Sequence, residues 1–188
     1  DMRNMGGRWK KIPLTFVMMT VVTLALTGFP LTAGYFSKDL IIEAAYASHS
    51  AGSGFAFVMG VTAAFMTSFY SWRLAFMTFF GKPKDHHAYD PAHAGPWVMR
   101  LPLIILGVGA IAAGLVFAPY FIGEGRFAFW NGALVANVDD VIDHAHHVPG
   151  WVVWLPFVAM VLGFALAFQL YIRRPDLPAA IAKTWDGL

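Results

Sequence analysis

The chain has 188 residues, of which 58% are hydrophobic and only 13% are charged, and its net charge is +2. Soluble domains carry about 25% charged residues, so this composition excludes an ordinary soluble enzyme or a disordered chain and indicates a membrane protein. The chain has no cysteine, which excludes disulfides, thiolate-bound iron–sulfur clusters and a cysteine nucleophile. Its basic residues lie in short loops rather than in a stripe, which argues against a nucleic-acid partner.

Four hydrophobic regions predict an all-α, polytopic bundle of membrane helices with four crossings. Their approximate ranges are 12–48, 55–80, 101–122 and 151–172. The last three are each long enough to cross about 30 Å of hydrocarbon as one helix. The first would be roughly 55 Å long as one continuous helix, which is too long for a single straight crossing.

The middle of the first region, residues 27–34, contains three residues that interrupt helices: Gly28, Pro30 and Gly34. Proline removes a backbone donor and clashes with the preceding turn, and glycine loosens the backbone on either side. The region is therefore either a hairpin of two short spans or one span that is interrupted at membrane depth. An interruption could also be a plain kink that only shapes packing.

The distribution of Lys and Arg separates the hairpin from the interrupted span, because basic loops collect on the cytoplasmic side. With one interrupted span, ten basic residues outside the spans fall on one side and only Arg126 falls on the other. With a hairpin the split is 5 to 6, which is no bias. We therefore predict one discontinuous helix, four crossings and cytoplasmic chain ends. The chain starts at Asp1 and stops abruptly at Leu188, so we expect it to be the C-terminal part of a longer membrane protein.

Lys38, eight residues after Pro30, is the strongest candidate for chemistry. A lysine inside a span costs at least ~2.5 kcal/mol to insert and is a functional hypothesis by default, although its stem could also snorkel to the outer interface. Burial favours the neutral amine, so Lys38 could take up and release a proton near neutral pH. Asp39 diverges from Lys38 around the helix, whereas Asp39 and Glu43 share a face. We expect the main partner of Lys38 on another helix.

The second span carries further polar residues. Arg73 lies seven residues before Phe80, so it can snorkel to the cytoplasmic end. A polar stripe on the same helix could line a hydrated path, or could bond to the backbone and to neighbouring helices. The stripe consists of Thr67, Ser68, Tyr70 and Ser71. The fourth span instead carries small residues four apart, which is typical of close helix packing; they are Ala159, Gly163 and Ala167.

Two clusters of loop histidines are candidate metal ligands. They are His86, His87 and His93, and then His144, His146 and His147. Imidazole can bind transition metals, but these clusters lack further ligand spacing, so we interpret them as solvated residues and predict no metal site. The sequence also contains no HExxH, GxSxG or phosphate-binding loop motif, and we predict no cofactor on this chain.

Several stretches make the sequence recognisable. Asp1–Gly7, Lys11–Pro13, Thr32–Asp39 and Ala64–Arg73 resemble the antiporter-like subunits of respiratory complex I. Beyond about residue 100 the resemblance is only topological. It implies a proton path that ends at Lys38 in a discontinuous helix, with Asp39 beside it. The Lys-Asp pair resembles these subunits more than the related Mrp antiporters, which tend to have Glu after the Lys.

The resemblance implies a proton-translocating subunit in the bacterial inner membrane, with no redox chemistry of its own. NADH, FMN, iron–sulfur clusters and quinone would bind to other subunits of complex I. The partners of this chain would be other membrane-arm subunits and the lipid bilayer. Two alternatives stay open, namely a subunit of an Mrp-type cation/proton antiporter and a passive scaffold of membrane helices.

Overall fold

The computed structural model describes residues 2, 5–48, 50–83, 89, 93, 95–123, 125–131, 133 and 141–185. In these residues the α-helices are α1 (Pro13–Thr27), α2 (Ala33–Ala47), α3 (Ser53–Phe79), α4 (Trp97–Phe121), α5 (Arg126–Trp130), α6 (Val141–Ala145), α7 (Gly150–Phe168) and α8 (Asp176–Trp185). A 3₁₀ turn (Arg8–Lys10) precedes α1, and a π-helical turn (Gln169–Arg173) extends α7. None of the described residues lies in a β-strand.

Three of the helices are each long and apolar enough to cross a membrane: α3, α4 and α7 with its π-helical turn. They correspond to the predicted segments 55–80, 101–122 and 151–172, and their boundaries differ by at most four residues. The first predicted region, 12–48, contains two helices, α1 and α2, of 15 residues each. The all-α class and the membrane character of the bundle are thus confirmed.

The helices α1 and α2 run in the same direction along α3. Phe16 in the first turn of α1 packs edge-on against Phe79 at the end of α3, with ring centroids 5.2 Å apart. Tyr46 at the end of α2 packs against Phe57 in the first turns of α3, also at 5.2 Å. Both helices are therefore antiparallel to α3 and follow one another along it, and α2 does not turn back beside α1.

The neighbouring helix α4 runs in the direction of α1 and α2. Met18 of α1 lies against Gly107, and Ala33 at the start of α2 lies against Gly114, two turns later in α4. A Cβ atom on Gly114 would come within 2.7 Å of the Cα atom of Ala33. A residue with no side chain here allows the two backbones to approach closely.

The seam between α3 and α7 is formed by two parallel helices. Phe57 and Trp151 lie together near the start of both helices, and Phe76 and Phe168 lie together near their ends. The small residues expected to pack are all buried on α7: Ala159, Gly163 and Ala167. Across the seam, the hydroxyl of Ser68 donates a hydrogen bond to the backbone carbonyl of Met160 at 2.7 Å.

The helix directions gather basic residues at one end of the bundle, which we call the basic end. The 3₁₀ turn reaches the end of α3 through a hydrogen bond of 3.1 Å from the Gly7 amide to the Phe80 carbonyl. Because α4 runs with α1, and α7 runs with α3, α4 begins and α7 ends at this same end. The described residues that form the basic end are Arg8, Lys10, Lys11, Lys82, Arg100, Arg173, Arg174 and Lys183.

Candidate functional site at the helix break

The turn between α1 and α2 closes the end of α1 with its own backbone. The amides of Gly28 and Phe29 donate to the carbonyls of Ala25 and Leu24, at 3.2 and 3.0 Å. This is the Schellman arrangement, in which the residue after the helix takes a left-handed conformation that suits glycine, and Gly28 has a φ of +84°. Pro30 follows at a position where the helix cannot continue.

Gly34 allows the start of α2 to touch the end of α1. A Cβ atom on Gly34 would overlap the carbonyl oxygen of Ala25, and it would lie 3.8 Å from the Cα atom of Gly28. Thr32 is extended just before α2, and its hydroxyl donates to the Phe29 carbonyl at 2.6 Å. The three residues expected to interrupt the helix therefore lie in one compact turn.

Lys38, in the second turn of α2, reaches back across the break. Side chains of an α-helix lean toward its N-terminus, and the Lys38 ammonium donates a hydrogen bond to the Leu26 carbonyl in the last turn of α1, at 3.2 Å. The last four carbonyls of a helix have no partner within it, and they carry the negative end of its dipole. The positive charge therefore lies at a free backbone acceptor beside the turn rather than at the outer end of α2.

Two carboxylates continue from Lys38 along α2. Asp39 is only 7% exposed, and a Cβ atom on Gly28 would lie 3.7 Å from both Asp39 Oδ1 and Lys38 Cδ. Asp39 lies within electrostatic range of Lys38 and of Glu43, which is half buried one turn further on. Glu43 in turn interacts with His146 beside α6. The structure thus brings the three predicted proton-transfer residues into one row that starts at the break.

The four polar residues of α3 do not share one environment. Ser68 is fully buried and bonded to α7, as described above, and Ser71 is buried without a hydrogen-bond partner for its hydroxyl among the described residues. Thr67 is half buried, whereas Tyr70 is 53% exposed and points out of the bundle. The interior therefore receives two of the four hydroxyl groups rather than a continuous stripe.

An apolar cavity of about 280 Å³ lies beside the break. Side chains of α1, α3, α7 and the turn surround it: Leu24, Phe29, Trp72, Phe157, Met160, Val161 and Phe164. Its lining offers no acid or base. The indole nitrogen of Trp72, one of the lining residues, is buried and has no hydrogen-bond partner in the described part of the chain. The cavity separates the break from α7 and supplies no proton-transfer group.

The histidines are exposed wherever the structure describes them, namely at His93, His144, His146 and His147. His86 and His87 lie outside the described residues, as do Asp1, Arg3 and Asn4 of the first recognisable stretch. Within the described ranges, no group of three or more His, Cys, Asp or Glu side chains could hold a metal ion.

Known proteins resemble this chain over nearly its whole length. The family model described as NADH:quinone oxidoreductase/Mrp antiporter, TM, matches residues 1–67, which include α1, the break and α2. NADH-quinone oxidoreductase subunit L of Rhodobacter capsulatus is 38% identical, over 100% of this chain and 36% of its own length. NADH-ubiquinone oxidoreductase chain 5 of Acanthamoeba castellanii is 37% identical, over 97% of this chain and 27% of its own length.

A third relative is named for a different electron donor. F420H2 dehydrogenase subunit L of Methanosarcina mazei is 38% identical, over 93% of this chain and 28% of its own length. The chain thus spans about a third or less of the length of these relatives. The resemblance inferred from the residues is confirmed: the chain is an integral membrane protein related to subunit L and chain 5 of the NADH-quinone oxidoreductases, the antiporter-like subunits, and it matches one part of them.

Proposed function

We propose that this chain is part of a subunit that moves protons across the membrane in an NADH:quinone oxidoreductase, and that Lys38 is the group that takes up and releases the proton. The observation that carries this proposal is the hydrogen bond of 3.2 Å from the Lys38 ammonium to the Leu26 carbonyl, at the interruption between two helices. A charged amine within a membrane crossing is costly, and such groups mark ion and proton pathways.

In this proposal α1 and α2 together make one discontinuous crossing, so that the bundle crosses the membrane four times. Each half has 15 residues, about 22 Å of helix, which is short for a hydrocarbon layer of about 30 Å. The two halves follow one another along α3, which supports a joint crossing. Breaks of this kind are tolerated where the freed backbone groups meet protein or water, and half-helix ends commonly form ion sites.

The proposed orientation places the basic end of the bundle, with both chain ends, in the cytoplasm. This follows from the excess of Lys and Arg at that end, because such residues are retained on the cytoplasmic side. The membrane would be the inner membrane of a bacterium. The row from Lys38 through Asp39 to Glu43 would then lie in the half of the crossing that leads outward.

Lys38 can exchange a proton because opposing influences act on its amine. Removal from water disfavours the charged form, whereas the negative end of α1 and the carboxylate of Asp39 favour it. A change in the separation of Lys38 and Asp39 would shift this balance, so that the amine takes up or releases a proton. Asp39 and Glu43, one turn apart on α2, supply carboxylates that can receive the proton next.

We assign the redox chemistry to other subunits. NADH, FMN, iron–sulfur clusters and quinone would bind there, and this chain would contact other membrane-arm subunits and lipid but no nucleic acid. The relative from Methanosarcina mazei is named for F420H2 rather than NADH. That related subunits carry names with different electron donors supports a role that does not depend on the donor.

The test is Lys38→Met in the full-length subunit within its complex. We expect the complex to assemble and proton transfer through this subunit to slow by about 10²-fold or more, as for loss of a positioned proton-transfer group. Protons translocated per electron are measured in sealed vesicles with a pH-sensitive dye. The control is Lys82→Met, which removes the same charge from an exposed lysine outside the helices. Unchanged stoichiometry in Lys38→Met would contradict the proposal.

A subunit of an Mrp-type cation/proton antiporter is the second candidate, because the matching family model includes both classes. The two candidates differ in their partners. Gentle solubilisation and purification should recover NADH-oxidising subunits in the first case and the subunits of a sodium/proton antiporter in the second. A passive scaffold, in contrast, predicts that a neutral residue at position 38 leaves all transport unchanged.

A further inference from the structure

A second cation, Arg73, lies within a membrane span and away from the helix break. It is in α3, on the flank that contacts the π-helical turn. The central carbon of its guanidinium group lies 5.5 Å from the centre of the Tyr171 ring, which is the geometry of a cation–π contact. Tyr171 packs in turn against Phe69, one turn before Arg73, with ring centroids 6.2 Å apart.

The guanidinium group of Arg73 lacks an acceptor. Its Nε–H is buried and has no hydrogen-bond partner among the residues that the structure describes. No carboxylate among those residues forms an ion pair with it either. The ring of Tyr171 attracts the positive charge but accepts no in-plane N–H bond. A charged donor without an acceptor is strongly unfavourable inside a span. The Nε–H faces protein, but the two terminal nitrogens are not fully buried, so an anion from outside can supply acceptors to them.

The depth of Arg73 fits the boundary between the hydrocarbon layer and the headgroups. The 27 residues of α3 span about 40 Å, so the helix extends roughly 5 Å beyond a 30 Å hydrocarbon layer at each end. Arg73 lies six residues before the end of α3, or about 9 Å along its axis. Its Cα atom is therefore about 4 Å inside the hydrocarbon layer, and an arginine side chain spans that distance.

The surroundings of Arg73 combine positive charge with an apolar track. Arg73 lies within α3 close to the basic end of the bundle, where Lys82 and Arg174 are exposed, and clustered basic residues attract anionic lipid. Met66 and Tyr70 precede Arg73 on the same face of α3, and they are 55% and 53% exposed. They lead from the guanidinium group toward the middle of the bundle, along the path that an acyl chain would follow.

We propose that Arg73, with Tyr171 beneath it, binds the headgroup phosphate of an anionic phospholipid at the contact between α3 and the π-helical turn. The planar fork of arginine matches phosphate oxygens through paired N–H bonds. The π-helical turn that places Tyr171 is a rare helix form that is frequently found at functional sites. The lipid's acyl chain lies over Met66 and Tyr70. This site is separate from Lys38 and does not depend on the proton-transfer proposal.

The experiment compares lipid binding by the full-length complex with Arg73→Gln and with Arg126→Gln. The second variant is the matched control, because it removes the same charge from an arginine that also lies over an aromatic ring, 4.7 Å from the centre of Phe127, but at the opposite end of the bundle. Delipidated complex is titrated with phosphatidylglycerol, and bound lipid is counted by native mass spectrometry. We expect about tenfold weaker binding in Arg73→Gln and nearly unchanged binding in Arg126→Gln.

Two further arms decide the nature of the ligand. Titration with phosphatidylcholine should give binding that is weaker and insensitive to Arg73. Inorganic phosphate at millimolar concentration should not displace the phosphatidylglycerol, and displacement would overturn the assignment in favour of a free anion. Equal lipid binding by Arg73→Gln and Arg126→Gln would overturn the site altogether.

Arg73→Lys keeps the proposal testable if Arg73→Gln fails to assemble. Lysine preserves the charge that the span has to accommodate but lacks the planar fork. We expect this variant to assemble and to bind phosphatidylglycerol several-fold more weakly than the wild type. Binding as tight as that of the wild type would contradict recognition by the guanidinium group.

Discussion

The α3–α7 seam and the interrupted pair α1–α2 accommodate polar groups in an apolar bundle in different ways. Along the seam both helices are continuous, and the bond from Ser68 to the Met160 carbonyl joins two neutral groups. At the break the backbone of α1 has free acceptors, and a charged side chain of the next helix, Lys38, meets one of them. The difference shows that the interruption itself creates the site for the charge, because a continuous helix would leave no free carbonyl there.

The largest effect on stability should come from crowding the break. In Gly34→Ala the new methyl group would overlap the Ala25 carbonyl oxygen, and the short turn between the helices prevents either one from sliding away. We expect a loss of about 2–3 kcal/mol, measured by thermal unfolding of the purified complex. In the control Gly109→Ala the methyl group meets no atom within 4 Å. Equal stability of the two variants would contradict the close contact at the break.

Adding a methyl group at the α3–α7 seam should reduce the stability of the complex less than adding one at the break. In Gly163→Ala the added Cβ atom would lie 2.5 Å from the Phe65 carbonyl oxygen, but α3 and α7 are separate rigid helices that can move apart slightly. We expect about 1–2 kcal/mol of destabilisation in the same unfolding assay. A loss as large as that of Gly34→Ala would show that the seam is as constrained as the break, and the comparison between them would fail.

Removing the hydroxyl that bridges the seam should have a smaller effect. Ser68→Ala deletes one neutral hydrogen bond between membrane helices, which is worth about 0.6–1 kcal/mol. The proton-to-electron ratio should stay at the wild-type value, because Ser68 bonds to α7 rather than to the Lys38 row. A reduced ratio would favour a hydrated path along this helix over the alternative that its hydroxyl groups only bond to the backbone and to neighbouring helices.

The smallest change is expected at Ser71, one turn along α3. Its hydroxyl is buried without a partner in the described part of the chain, so Ser71→Ala should leave thermal stability unchanged or raise it slightly. A clear loss of stability or of proton transfer would mean that water satisfies this hydroxyl, and that the interior of α3 is hydrated.

The position of the turn between α1 and α2 was predictable because its causes are local. Gly28, Pro30 and Gly34 act on the backbone at their own positions, and the structure places the turn where they stand. The acceptor for Lys38 was not predictable. Every residue carries a carbonyl, and only the meeting of the two helices selects that of Leu26.

Other features depended on packing that the sequence pattern does not encode. Tyr70 precedes the buried Ser71 in the sequence but points outward, because the surrounding helices cover other faces of α3. The π-helical turn depends on hydrogen-bond register, and α8 has only ten residues with one apolar face, so the hydrophobic pattern predicted neither of them. The four crossings, the hydrated path and the role of Lys38 stay predictions.

The hydrogen bond between Lys38 and the end of α1 bears on which step of the proposed proton transfer would require energy. A backbone carbonyl is a permanent part of the chain that neither titrates nor diffuses, so it continues to face the amine after a proton has left. If Lys38 acts as proposed, its loaded form is therefore the resting condition, and emptying it requires an incoming charge from elsewhere in the assembly. Energy from the redox reaction would be spent on discharge, and refilling would follow spontaneously.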